Sequence, residues 1–287
     1  MYAKFDLVRP RTLEELLAVY SGAGPSQTVL AGGTVALVDI RAGRLRPDTV
    51  FSIDRLDGLR GISWQGRSIS IGARTTVSDL LESPKIEANA PSLAQAAAAF
   101  AGLMVRNSAT IAGNIACGSP AADLVPPLLS LDAEIALTSA GGTRHVALAD
   151  YHLGYKKDVR RPGEVITRIT LPDLDEGDFN AFYKLARRRG DAITVVGAAV
   201  TVRRSGGLCR KVRIALGSVS PAPMRAEKAE ALLEGAGLAP DLVEAAAEAA
   251  ERECSPIDDV RATAAYRRKM VRVLVRRLLA QAAERLS

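Results

Sequence analysis

A chain of 287 residues, 48% hydrophobic and 24% charged, is long enough for two or three units with cores of their own. No apolar run approaches the roughly 20 residues that span a bilayer, and the start, MYAKFDLVRPRTLEELL, lacks the basic region and apolar core of a secretion signal, which points to the cytoplasm. The net charge of +6 is scattered, and with 4% aromatic residues it fits a solvated or acid-docking face better than a nucleic-acid module.

In chain order, RTLEELLAVY opens a helix. Thr12 and Glu15 form a capping box, Leu13, Leu16, Leu17 and Tyr20 share one face, and Gly22 and Gly24 end it. The stretch TVLAGGTVALVDI (28–40) then reads as a strand, a Gly-Gly turn and a helix. Val50 to Ile53 is a buried strand, GISWQGRSISIGA a hairpin turning at Gln65-Gly66, and Thr76 to Asp79 a second helix start. Residues 92–105 read as one alanine-rich helix. From Ser108 to Asp123 nearly every residue is small, and a segment so poor in side-chain volume cannot build its own core; long loops of this kind are functional or disordered. Strands follow at Glu134 to Thr138 and in GEVITRITLP. Asp173 to Asp178, acidic and containing Gly177, makes a linker. Antiparallel strands come next, then three helices at roughly 225–234, 240–252 and 258–284.

Three cysteines (Cys117, Cys209, Cys254) and two histidines (His145, His152) show no zinc or iron–sulfur spacing. No metal site is expected, so a redox centre in this chain would have to be an organic cofactor. The Ala31-Gly32-Gly33-Thr34 turn is neither G-x-G-x-x-G nor a Walker sequence. It reads either as a turn that needs positive φ or as an anion site, where glycines let a phosphate approach main-chain N–H groups. A second loop, TIAGN followed by GSPAAD, again sets hydroxyls and glycine together, which suits an extended ligand with a diphosphate and a ribose or ribityl chain. Asp123 in that loop can also be read as an N-cap for LVPPLL.

LAGGTVAL, TIAGNIACGSPAADLVPPLLSLDAEI, PGEVITRITLP, FYKLARRRGDAITVVGAAV, APMRAEKAEALLEG and DDVRATAAYRRKMVRVLVRRLL occur in that order. Together they resemble the FAD-binding medium subunit of the molybdenum hydroxylases, the group of carbon monoxide dehydrogenase and xanthine dehydrogenase. The resemblance covers essentially the whole chain. It implies an α+β fold: a two-part FAD-binding domain of the vanillyl-alcohol oxidase (PCMH) type over 1–175, with parts at about 1–55 and 56–175, then a smaller C-terminal α+β domain over 176–287 with an antiparallel sheet and helices.

The resemblance also implies site residues. The first turn, Leu30, Ala31, Gly32, Gly33, Thr34, Val35 and Ala36, would hold the diphosphate of non-covalent FAD. The second loop would contribute Ala109, Thr110, Gly113, Asn114, Cys117, Ser119 and Asp123; Ala112 is left out, because its methyl is tolerable only at negative φ. Phe100 and Ile166 would flank the adenine, with core packing as the plainer reading of Phe100. Lys184 would lie near the flavin, or else on the surface. Where relatives often carry an aromatic after Gly190-Asp191, this chain has Ala192, so Ile193 would cover the ring or leave that face open.

The function implied is electron transfer, with no catalytic acid or base in this chain. A molybdenum-cofactor large subunit would oxidise the substrate and a small subunit with [2Fe–2S] clusters would feed the FAD, in a heterotrimer or its dimer; quinone, NAD or oxygen would be the acceptor. Two other readings stay open: a self-contained FAD oxidase or dehydrogenase, and a scaffold subunit without flavin.

Overall fold

The computed structural model describes residues 4–20, 26–175 and 177–285. The first helix, Leu13–Val19, begins at Thr12, whose hydroxyl accepts from the Glu15 amide at 3.1 Å. The Glu15 carboxylate turns back one residue further than a capping box requires, to the Arg11 amide at 2.7 Å. Gly22 and Gly24, expected to end this helix, lie outside the described residues.

The described residues form four sheets. Gln27–Leu30, Thr49–Ser52 and Asp6–Val8 form a parallel sheet with Thr49–Ser52 at its centre. Its core is small: Leu16, Phe51, Ile53, Leu56 and Leu59, closed by Val165 from the next unit. A five-stranded antiparallel sheet follows in the spatial order Ile62–Gln65, Ser68–Gly72, Val165–Pro172, Glu134–Ser139, Gly142–Ala147. A two-stranded hairpin, His152–Gly154 with Lys157–Asp158, stands beside it. The last sheet pairs Phe179–Ala186, Thr194–Ser205, Leu208–Gly217 and Met224–Arg225, all antiparallel.

Strand alternation explains how the final sheet joins the others. Phe182, Ala199 and Ala215 point into the core shared with the five-stranded sheet, whereas Ala181, Val200 and Ile214 point into a second core under the C-terminal helices. The sheet is thus covered on both faces. The acidic Asp173–Asp178 connector is held as well: Arg67 and Arg203 both bond Asp175, and the Asp175 amide donates to Asp178 Oδ2 at 2.9 Å.

Two helix boundaries differ from expectation. The alanine-rich helix stops at Ala98 and resumes only at Leu103–Arg106. Ala101 takes a positive φ of 30°, and the carbonyls freed by the break are bonded by basic side chains: Ala99 by Lys184 Nζ, Phe100 and Ala101 by Arg106 Nη1. The last helix, Ala264–Arg285, starts six residues late because Asp258 and Asp259 are spent on turns, Asp259 accepting from the Arg261 amide at 2.7 Å. Burial alone would raise the Asp259 carboxyl; the Arg261 amide and the guanidinium groups of Arg267 and Arg261 more than reverse this and hold it at about 2. The folded value lies below the unfolded one, so this stabilisation is present above about pH 4 and is lost as pH falls toward 2. Asp259→Asn should remove roughly 1 kcal/mol of acid dependence in that window, allowing for solvent screening, as read from urea unfolding at stepped pH.

Candidate functional site

Gly33 takes φ +72°, which the turn after strand Gln27–Leu30 requires and glycine supplies without strain. Gly32 is demanded by something else. A Cβ there would lie 1.7 Å from the Ser108 carbonyl oxygen, so the first turn rests main chain to main chain on the second loop. The helix that follows, Ala36–Arg41, is short. Among the described residues the amides of Gly32, Gly33, Thr34, Val35 and Ala36 have no acceptor, which leaves a row of donors at the turn.

The second loop is a contrast: it is not structureless but contains the helix Ile111–Ala116, whose Ile111 and Ile115 are fully buried. Most of its amides are satisfied by protein, that of Thr110 excepted among the described residues. Ile111 N donates to Thr75 O at 3.0 Å, Ala112 N to Ala73 O at 3.3 Å, and Gly113 N to Thr110 Oγ1 at 3.1 Å. What this loop can offer a ligand is therefore mainly side chain: the Thr110 and Ser119 hydroxyl protons and the amide of Asn114, whose Oδ1 accepts from Leu124 N at 3.1 Å. The Cys117 thiol donates to Asn114 O, and burial pushes its pKa up.

Both loops open on one cleft of about 510 Å³. Its lining includes Leu30, Ala31, Gly32, Gly33, Thr34, Val35 and Ala36 from the first turn, and Ala109, Thr110, Gly113, Asn114 and Cys117 from the second loop. Phe100 and Ile166 line it too, and Phe100 is at the same time packed on the core, so its two readings hold together. Ala112, left out of the expectation, is helical and also lines the cleft. A larger groove on the other face of the five-stranded sheet is lined by neither glycine loop, and its Thr138 hydroxyl bonds those of Thr143 and Thr167 at 3.0 and 2.8 Å.

Ser119, Asp123, Lys184 and Ile193 are absent from the cleft lining. Lys184 is not a surface lysine: only 6% of its side chain is exposed, and Nζ donates to Asp123 Oδ2 at 2.6 Å and to Ala99 O at 3.0 Å. Thr194 Oγ1 donates to the other Asp123 oxygen. Asp123 is therefore no N-cap; helix Val125–Ser130 starts at Leu124 with no side-chain cap. Burial raises the Asp123 carboxyl, with the Lys184 ammonium opposing it. Ile193 is 56% exposed and does not reach the cleft.

Sequence reasoning missed the charged part of the cleft. Asp39, Arg44, Lys156, Asp158 and Arg160 line it, with Tyr20 and Gln27. Burial would lower the Arg160 pKa, but the bonded Asp158 carboxylate raises it further. These residues belong to no motif, and DVRR reads as an ordinary solvated loop. Among the described residues no cluster of three His, Cys, Asp or Glu side chains could hold a metal, and no helix is long and apolar enough to cross a membrane.

A glycine-built cleft with a row of open amides, floored by Phe100 and Ile166 and backed by three cations, fits an elongated ligand with an anionic middle and aromatic ends, as FAD is. Comparison with known proteins agrees. Residues 3–174 match the FAD binding domain in molybdopterin dehydrogenase, and residues 181–282 match the CO dehydrogenase flavoprotein C-terminal domain. The chain belongs to the FAD-binding medium chains of the molybdenum hydroxylases of carbon monoxide dehydrogenase and xanthine dehydrogenase type. It is 34% identical to the carbon monoxide dehydrogenase medium chain of Hydrogenophaga pseudoflava over 96% of each chain. It is 32% identical to the 6-hydroxypseudooxynicotine dehydrogenase complex subunit alpha of Paenarthrobacter nicotinovorans, over 98% of this chain and 95% of that one. A solved structure of the H. pseudoflava carbon monoxide dehydrogenase, one lacking the Mo-pyranopterin moiety, superposes with a TM-score of 0.95 at 35% identity over the full length of both chains. The chain is thus the medium, FAD-binding subunit of an oxidoreductase complex.

Proposed function

We propose that this chain holds non-covalent FAD in the cleft between its two loops and relays electrons within a molybdenum hydroxylase. The observation that carries the reading is the row of unpartnered amides from Gly32 to Ala36, set against the second loop at the mouth of the cleft. Those amides would take the diphosphate, Thr110 and Asn114 the chain linking it to the flavin, and Phe100 and Ile166 the two faces of the adenine. Asp123 and Lys184 would brace the flavin end from behind rather than line it. A flavin held there would supply the redox chemistry, since it can take up two electrons singly from one-electron carriers and give them up singly or as a pair.

Electrons would arrive from the [2Fe–2S] clusters of a small subunit, fed by a molybdenum-binding large subunit, and leave to quinone, NAD or oxygen. Exposed Ile193 beside the small Ala192 supports an open face toward an acceptor. The assembly would be a heterotrimer or its dimer, in the cytoplasm. We place the domain division near residue 175, with parts at about 1–55, 56–175 and 176–287; the change from the five-stranded to the four-stranded sheet supports it.

The test is the visible spectrum of the purified chain, with chromatography of any cofactor released by acid, paired with thiol labelling. Cys209 and Cys254 are buried, whereas Cys117 is partly accessible and lines the cleft. FAD should be released at one per chain, and added FAD should slow alkylation of Cys117 at alkaline pH at least tenfold. A colourless chain that takes up no FAD, with Cys117 labelling unchanged, rejects the flavin reading and favours a scaffold subunit.

A further inference from the structure

The cleft continues beyond the glycine turn to a charged wall. Three cations and two carboxylates line it: Arg44, Lys156 and Arg160, with Asp39 and Asp158. Two of the cations share one carboxylate. Arg44 Nε donates to Asp39 Oδ1 at 2.8 Å, and Lys156 Nζ to Asp39 Oδ2 at 3.2 Å.

Arg160 is arranged differently. Its Nε and Nη2 donate to the two oxygens of Asp158 at 2.9 and 2.8 Å, and its own amide donates to Asp158 Oδ1 at 3.0 Å. Among the described residues its Nη1 has no acceptor. Two parallel bonds fix the plane of a guanidinium, so one edge is locked on Asp158 while the other keeps its donors uncommitted on a residue that lines the cleft with 32% of its side chain accessible. A charge held this way has part of its desolvation cost already offset and its free N–H donors pre-aimed.

The hairpin bearing this group is tied to both glycine loops. The Lys156 amide donates to Gly118 O at 3.1 Å, and a Cβ on Gly118 would come within 2.7 Å of Lys156 Cα. The Lys156 ammonium crosses the cleft to Asp39, whose amide donates to Val35 O at 2.9 Å. Arg160 thus reaches a position fixed relative to the open amides of the first turn.

We propose that Arg160, oriented by Asp158, is a side-chain anchor for the ligand's diphosphate and a determinant of its selection over the uncharged riboflavin. The amides of the first turn donate neutral hydrogen bonds; Arg160 adds a charged donor whose own charge is balanced by Asp158, beside the surplus cation left where Arg44 and Lys156 share Asp39. This rests on reading the cleft as an FAD site.

The test is titration of the flavin-stripped full-length chain with FAD and with riboflavin at low and high salt. Arg160→Met should raise the Kd for FAD about tenfold, flatten its salt dependence, and leave riboflavin binding unchanged. Because the single variant strands the Asp158 carboxylate, the pair Arg160→Met with Asp158→Asn is measured beside it and should show the same selective loss. Unchanged FAD affinity and salt dependence in the paired variant would overturn the proposal while leaving the cleft reading intact. Equal losses for FAD and riboflavin would overturn it too, marking Arg160 as a wall of the cleft. Wild-type chain that binds no FAD removes the reading beneath it.

Discussion

Gly32→Ala is expected to yield a chain that takes up no FAD and is destabilised by about 3–5 kcal/mol. The added Cβ would lie 1.7 Å from Ser108 O, 2.5 Å from Ser108 C and 3.2 Å from Ala109 Cα, all main-chain atoms. Relief needs a shift of more than about 1 Å, since unstrained carbon contacts begin near 3.5 Å. The second loop cannot give way: Ala109 N donates to Val105 O at 2.7 Å, Val77 N to Ala109 O at 2.9 Å, and Thr76 bridges Thr110. Gly33→Ala is the comparison. Its strain is the positive φ, worth about 1–2 kcal/mol, and the nearest atom, Leu37 Cδ1 at 2.9 Å, is a side-chain tip that can rotate away. Flavin content after purification, with denaturant unfolding of both variants, separates them: Gly33→Ala should keep measurable FAD. Equal retention by Gly32→Ala would mean that the tight approach of the two loops is not what position 32 serves.

The two glycines show where a sequence stops being informative. That the turn needed glycine was legible, since strand and helix patterns flank it. That one glycine serves φ and the other serves a carbonyl from a loop 76 residues away was not, because the second partner is set by tertiary packing. The same holds at Ala98. Composition favoured continuing the helix to 105, and the stop is enforced by Lys184 and Arg106 bonding the freed carbonyls. Most strands of the three larger sheets were readable from apolar runs and alternation, because burial of one or both faces writes itself into the sequence at period two; Asp6–Val8, Gly142–Ala147 and Met224–Arg225, short or exposed edge strands, were not. Ion pairs write no such period. Asp158 and Arg160 looked like loop charges, and Asp123 looked like a cap, until the fold brought Lys184 and Thr194 to it. The two loops that build the cleft were recognised as motifs; the charged wall opposite them was not, since nothing local distinguishes a cleft arginine from a solvated one.

Lys184→Met should be the most damaging change outside the loops. With 6% and 10% of their side chains exposed, Lys184 and Asp123 are a buried pair, and removing one partner leaves the other charge without compensation, typically at about 3–5 kcal/mol. Asp123 would keep only Thr194, and Ala99 O would lose its donor. The pH dependence carries the signature. Burial already raises the Asp123 carboxyl against the opposing ammonium, and without Lys184 it should rise further. A folded-state pKa above the unfolded one means the native chain binds the extra proton, so stability should fall as pH rises from about 4 through that raised value. The variant should therefore unfold most easily near neutrality and recover toward acid, as followed by thermal melts. Lys184→Met combined with Asp123→Asn should recover most of the loss by removing both charges at once. The pair also decides what the lysine is for. In the fold its ammonium is already committed to Asp123 and Ala99, so the paired variant should keep FAD with an unchanged reduction potential. A potential clearly lower than wild type would show instead that the Lys184 charge acts on the flavin itself, from behind the residues that line the cleft.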